Sequence, residues 1–240
     1  MFADAASIRE DLACALRLAH SMRFTEGVRT HFSALVGENT ACVQPHDLPW
    51  SLVRAPNLIS FSLSEDAKAP SGIGPSAFEV HRAMHAKLGK RAGCILHAHP
   101  PYAAQLSCLA PPTLEMVHQN CAYFFGKVLY VQQYDGTESA SRVLQRTIEG
   151  FVADSALRVA LLANHGVTVV GETVADAFDD LFYFENAARI YLEGLKTGRA
   201  LHHIPADVCA RVAAHRDRDR REFALRHFNT LKLEIKCAKL

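Results

Sequence analysis

The chain has 240 residues, 49% of them hydrophobic and 21% charged, and a net charge of +1. These proportions exclude a disordered chain, and the near-neutral balance offers no basic footprint for nucleic acid or an acidic membrane surface. No apolar run reaches the roughly 18 residues that would cross a bilayer, and MFADAASIRE lacks the basic flank and apolar stretch of a secretory leader.

In chain order, residues 7–21 are expected to form an amphipathic helix, opened by a Ser7–Glu10 capping box and burying Ile8, Leu12, Ala15, Leu16 and Ala19. HFSALVGENTACVQP alternates and turns at Gly37-Glu38-Asn39, which predicts a hairpin over about 31–44. NLISFSL reads as a strand ending at SED. Ser76 and Glu79 predict a second capping box, starting a helix that runs to about Leu88. The strand GCILHAH, a short helix around YAAQLSCL, the strand KVLYVQQY and a helix at about 139–152 follow, with GTESAS as its loop and N-cap. RVALLAN and VTVVG form a second hairpin across a tight turn at His165-Gly166. Thr173 and Asp176 open a long helix that stops near Gly198. The tail from about 207 to 236 has a helical pattern, and its run HRDRDRREF reads as a solvated face.

Short strands alternating with helices, plus two hairpins, imply an α/β fold: a three-layer α/β/α arrangement around a mixed, largely antiparallel sheet. No repeat or linker divides the chain, so residues 1–240 are expected to form one domain, with a core over about 8–200. The seven cysteines are odd in number and never spaced Cys-x-x-Cys, which points to reduced thiols and a cytoplasmic protein.

The chemistry concentrates in ILHAHPPY, residues 95–102. Side chains i and i+2 of a strand share a face, so His97 and His99 can chelate one ion, but a third ligand must come from elsewhere. His165 in LLANHGVTVVG is the best candidate, since it sits where a buried strand breaks at a glycine. Three imidazoles with an open position form a catalytic rather than a structural metal site, able to polarise a carbonyl.

HAHP and LLANHG, with the capped helix ETVADAFDDLFYFENAARIYLEG and the block PSAFEVHRAMHAKLGKRAGCILHAHPPYAAQLSCL, resemble the class II aldolase/adducin family over about residues 8–200. The resemblance implies an α/β/α fold, a homotetramer with subunit interfaces near the site, and a small-molecule substrate. It also implies a divalent ion, zinc first and manganese or iron next, on His97, His99 and His165. Family members include sugar-phosphate aldolases, decarboxylases or oxygenases of aromatic acids, and adducin, which is not known as an enzyme.

Two departures from the aldolases stand out. Their catalytic glutamate corresponds to Ala77 here, and Glu79 is the nearest carboxylate. Their phosphate cradle corresponds to VRTHFS, QPHDLPW and GPSAF, where only Thr30 and Ser76 remain as donors, with Arg29 and Arg54 nearby. His31 at the hairpin opening and His118, beside Gln119 where the aldolases bring a tyrosine, are the candidate acid–base groups. His81 and His85, one helical turn apart, read as packing or surface residues. The expected function is a metal-dependent carbon–carbon lyase of aldolase or decarboxylase type. A non-catalytic adducin-like module and an iron-dependent oxygenase are the alternatives.

Overall fold

A computed structural model describes residues 4–132 and 140–237. Seven strands form one sheet: β1 (His31–Gly37), β2 (Thr40–Val43), β3 (Ile59–Ser62), β4 (Cys94–Ala98), β5 (Val128–Val131), β6 (Val159–Leu162) and β7 (Gly166–Gly171). Their order is β3-β2-β1-β4-β7-β6-β5. All pairs are antiparallel except β5–β6, whose parallel pairing needs a crossover. α5 (Ala140–Ala153) supplies it. The remaining helices are α1 (Ala5–Ser21), α2 (Pro75–Leu88), α3 (Pro101–Ser107), α4 (Gln119–Ala122), α6 (Val174–Lys196) and α7 (Ala206–Cys237). The mixed sheet between helical layers is the fold that the sequence pattern predicts, and both expected hairpins form.

Side-chain alternation divides the core. Phe32, Ala34, Leu96, Ala98, Val167 and Val169 face α1, α3, α6 and α7 in one large apolar cluster. The opposite face carries two smaller clusters, one joining Phe78 of α2 to β1–β3 and one joining Met84 of α2 and Phe151 of α5 to β4–β7. Between them lies a polar seam that includes Ser33, His81 and His85, all buried.

Three local expectations are corrected. α1 begins at Ala5, with Asp4 rather than Ser7 as N-cap, its carboxylate accepting from the Ala6 N–H at 3.3 Å. α2 begins with Pro75 after Gly74 and has no side-chain cap. Proline at the first helical position already removes one orphan donor, so Ser76 is not the cap, and exposed Glu79 pairs with Arg82 at 3.0 Å instead. The Thr173–Asp176 capping box does form. The GTESAS reading falls mainly on residues outside the described ones.

The third correction concerns the tail. α7 is docked along α6 rather than only solvated, burying Cys209, Ala213, Ala224, Phe228 and Leu231. Buried Asp179 of α6 binds Arg216 and, at 2.8 Å, His227 Nδ1. Asp180 accepts from Arg220 at 2.6 Å and faces Arg158 at 3.5 Å. The charge run thus alternates solvated positions with arginines that neutralise two carboxylates. Cys14, Cys42, Cys94, Cys108, Cys121 and Cys209 are free of disulfides, and no helix among the described residues is long and apolar enough to cross a membrane.

Removing one partner of a buried ion pair leaves the other charge uncompensated. Asp179→Ala is therefore expected to lower unfolding free energy by about 3–5 kcal/mol in urea titration. Asp207→Ala, which breaks the exposed Arg211 pair, is expected to leave the midpoint unchanged. Equal effects would refute the clamp.

Candidate metal centre

Register builds the site. In the antiparallel ladders His31 lies opposite His97, and His97 lies opposite Thr168, so the three side chains form one row across β1, β4 and β7. His99 follows one residue beyond the end of β4. Its position is fixed by α3, which starts two residues on at Pro101. The Tyr102 and Ala103 N–H groups in the first turn of α3 donate to the buried Glu185 carboxylate of α6 at 2.7–3.1 Å.

His165 arrives from the β6–β7 turn. Asn164 adopts φ 55° there, a left-handed conformation that asparagine tolerates. The Asn164 N–H donates to Ser107 O at 2.9 Å and the His165 N–H to Leu162 O at 3.1 Å. The His165 N–H also reaches Ser107 Oγ at 3.2 Å. Gly166 is demanded by space: a Cβ there would stand 2.5 Å from His99 Cδ2 and 2.7 Å from Ala98 O.

His97, His99 and His165 converge, with one ring nitrogen from each lying within 4.8 Å of the others. His97 Nε2 and His99 Nε2 are 3.3 Å apart. Behind them, His99 Nδ1 meets Glu26 Oε2 at 2.5 Å and His97 Nδ1 meets Thr168 Oγ1 at 3.2 Å. With each Nδ1–H donating backwards, both Nε2 lone pairs face the same space, a repulsive arrangement unless a cation lies between them. The donor set therefore fits a divalent ion, and Glu26 and Thr168 are the orienting partners such ligands require. Burial holds His97 well below the ordinary histidine range and His165 down to about 4, so both are neutral and able to ligate at pH 7. The hydrogen bond from His99 lowers the Glu26 carboxyl.

The other predicted site residues separate into two groups. His31 belongs to the centre: its ring stacks on His97 at 4.8 Å between centroids, and burial keeps it neutral. Thr30 adjoins it, with its Oγ1 buried and lacking a hydrogen-bond partner among the described residues. It lines a cavity of about 390 Å³ together with Thr25, Gln44, His46, Asp47 and Trp50.

Ser76 is exposed in the first turn of α2. His118 is the exposed N-cap of α4, its Nδ1 accepting from the Asn120 N–H at 3.1 Å, and is not enclosed by apolar neighbours as its sequence setting implied. Exposed Gln119 bonds Tyr123 and lines a separate cavity of about 620 Å³ against α7. Arg54 folds back onto the carbonyls of its own turn.

The sequence pattern described as the Class II Aldolase and Adducin N-terminal domain matches residues 10–192. The chain belongs to the class II aldolase/adducin family. A relative, the meiotically up-regulated gene 14 protein of Schizosaccharomyces pombe, is 28% identical over 201 residues, covering 81% of this chain and 76% of its own. An aldolase II superfamily protein from Pseudomonas syringae superposes with a TM-score of 0.84 at 26% identity, covering 99% of this chain and 95% of that one. L-fuculose 1-phosphate aldolase from Glaciozyma antarctica shares the fold, with a TM-score of 0.78 at 21% identity over 97% and 92% of the two chains.

Ala77, which the family resemblance sets at the place of the aldolase glutamate, packs in an apolar cluster with Ile73 and Phe78. Glu79 points to solvent, where it pairs with Arg82. Sequence reading missed Glu26 and Thr168. Thr168 was detectable, because a hairpin turning at His165-Gly166 returns beside β4. Glu26 lies in a loop with no periodicity. His81 and His85 prove to be buried, as the packing reading holds, but they are also hydrogen-bonded, sharing Ser33 Oγ as a partner.

Two expectations follow. Glu26→Gln and Gly166→Ala are each expected to weaken zinc binding about 10–100-fold in competition with a chromogenic chelator, with an unchanged far-ultraviolet spectrum. Unaltered affinity in both would remove the ion from this site.

The second concerns acid stability of the metal-free protein. His85 protonates near 6.5 when unfolded but at about 4 in the fold, because burial penalises its charge. The unfolded state therefore binds more protons between those values, and stability falls as pH drops through that window. His85 alone costs roughly 3 kcal/mol there. Urea midpoints measured from pH 7 to 4 should decline, and less steeply in His85→Gln.

Proposed function

We propose that the protein is a metal-dependent carbon–carbon lyase, of aldolase or decarboxylase type, acting on a small oxygenated carbonyl or carboxylate compound. The observation that carries this reading is the pair of Nε2 atoms of His97 and His99, 3.3 Å apart and each oriented from behind, with His165 beside them. Three imidazoles leave a coordination position open to substrate. A divalent ion held there, zinc first and manganese or iron next, supplies Lewis-acid polarisation of a substrate oxygen.

The chain's own residues supply the proton handling. His31 is neutral and stacked on His97, so its ring lone pair takes the hydroxyl proton in aldol cleavage, and the conjugate acid so formed returns that proton to the carbanion carbon. The unpartnered Thr30 hydroxyl is suited to donate to a substrate oxygen in the adjoining cavity. Among the described residues, that cavity is lined by no lysine or arginine, and it includes His20, His46, Asp47 and Pro49. Burying a phosphate dianion without convergent cationic or N–H donors is costly, which favours non-phosphorylated substrates. Ser76 stays a candidate substrate contact. His118 stays a candidate acid–base group and Gln119 a candidate substrate contact, both exposed within one protomer; a homotetramer is the assembly that the family resemblance implies. A cytoplasmic setting accords with the unbridged thiols.

Metal content of protein purified without chelator or affinity-tag metal tests the class. Stoichiometric zinc or manganese supports the lyase, redox-active iron supports an oxygenase, and a metal-free protein without turnover supports an adducin-like module. With metal fixed, small hydroxy- and keto-acids are expected to turn over or compete better than ketose 1-phosphates; efficient ketose 1-phosphate cleavage with weak acid binding would overturn the substrate assignment. His31→Gln is expected to lower turnover about 10²–10⁴-fold while retaining metal.

A further inference from the structure

A row of hydrogen bonds runs inward from His31, under α2, and ends on a backbone carbonyl. His31 Nδ1 lies 2.8 Å from His81 Nε2, and His81 Nδ1 lies 2.5 Å from Ser33 Oγ. Ser33 Oγ lies 2.7 Å from His85 Nε2, and His85 Nδ1 lies 2.7 Å from Ala92 O. Matching periods make the row possible. Two strand residues advance about 6.6 Å and four helical residues about 6 Å, so His31 and Ser33 of β1 interdigitate with His81 and His85 of α2.

The far end gives the row a direction. A peptide oxygen can only accept, so His85 Nδ1 carries a proton, and a neutral His85 then has its lone pair on Nε2. Ser33 has one hydroxyl hydrogen and must donate it there, which obliges Ser33 Oγ to accept from His81 Nδ1–H. His81 is then left with a lone pair on Nε2, which accepts from His31 Nδ1–H. Only an extra proton could reverse the order, and burial opposes one, holding His81 far below its ordinary range and His85 at about 4.

We infer that Ser33, His81 and His85 are positioning residues that hold His31 in its Nδ1-protonated tautomer, leaving Nε2 as the lone-pair nitrogen of the ring that stacks on His97. The consequence for turnover rests on the proposed role of His31 as base; the tautomer assignment does not. All three histidines share the Nδ1–H form, which free imidazole side chains in water favour less. The order is imposed from Ala92, so it is independent of an ion at the His97 side.

The test is long-range proton–nitrogen correlation on protein labelled with ¹⁵N-histidine, recorded metal-free and zinc-loaded at neutral pH. His31, His81 and His85 are each expected to show a pyrrole-type Nδ1 and a pyridine-type Nε2 in both states. Ser33→Ala releases His81 to invert, and the His31 pattern is expected to switch or average. Ser33→Thr, which keeps the hydroxyl, is expected to restore it. An Nε2-protonated or cationic His31 in the wild-type protein would overturn the inference, as would a His31 pattern unmoved by Ser33→Ala. Where a substrate turns over, Ser33→Ala should lower kcat roughly 10–100-fold with KM and metal content held, and Ser33→Thr should recover it. Correct tautomers in a protein that turns over no substrate would sink the lyase reading and leave this chain of bonds standing.

Discussion

The arrangement of this molecule depends on the register of three antiparallel strands, β1, β4 and β7. Pairing His31 with His97 and His97 with Thr168 places a polar row on the sheet face that α2 covers. Because side chains alternate, a slip of one residue would turn His97 into the large apolar cluster beneath α6 and bring Leu96 to the site. Register is secured on that other face, where Phe32, Leu96 and Val169 are fully buried against the helices. The hydrophobic face thus acts as the jig for the polar one.

A second constraint is that every imidazole brought under α2 must stay neutral and hydrogen-bonded, since burial makes an unpaired polar group costly. The seam between the two smaller clusters meets this with a hydrogen-bond partner for each ring nitrogen of His81 and His85. It opens at His97, His99 and His165, whose ring nitrogens converge. Elements distant from the site hold it still: Glu185 of α6 anchors the start of α3, and Ser107 at the end of α3 anchors the His165 turn. One short helix therefore locates two of the three candidate ligands.

How far the sequence could be read follows from what each signal is. Alternation and hairpin turns are local, so the strands, the mixed sheet and the long Thr173-capped helix were legible, as was the convergence of His97, His99 and His165. Cap assignments were less secure because Ser7 and Ser76 each compete with a neighbour that starts the helix earlier, Asp4 in one case and Pro75 in the other. The tail misled because arginine and aspartate spacing on α7 has meaning only beside Asp179 and Asp180, more than thirty residues away. Glu26 and the roles of Ser33, His81 and His85 depend on contacts across β1, β4 and α2, which no single-segment period records. The setting of His118 was not legible either: its apolar sequence neighbours Cys121 and Ala122 are buried, while its own ring caps a short helix at the surface.

The Ala92 carbonyl has an implication for how such a scaffold diversifies. It belongs to the backbone, so no substitution of a side chain deletes it, and the polarity of the seam has an anchor outside the reach of ordinary mutation. Changes along the seam do not erase polarity but reset it at a chosen link. A residue at position 33 that could only donate would leave the outermost ring presenting a hydrogen where it now presents a lone pair. The same three strands and the same helix can then furnish either an acid or a base at one site, with the choice written several bonds away from the place where it is used.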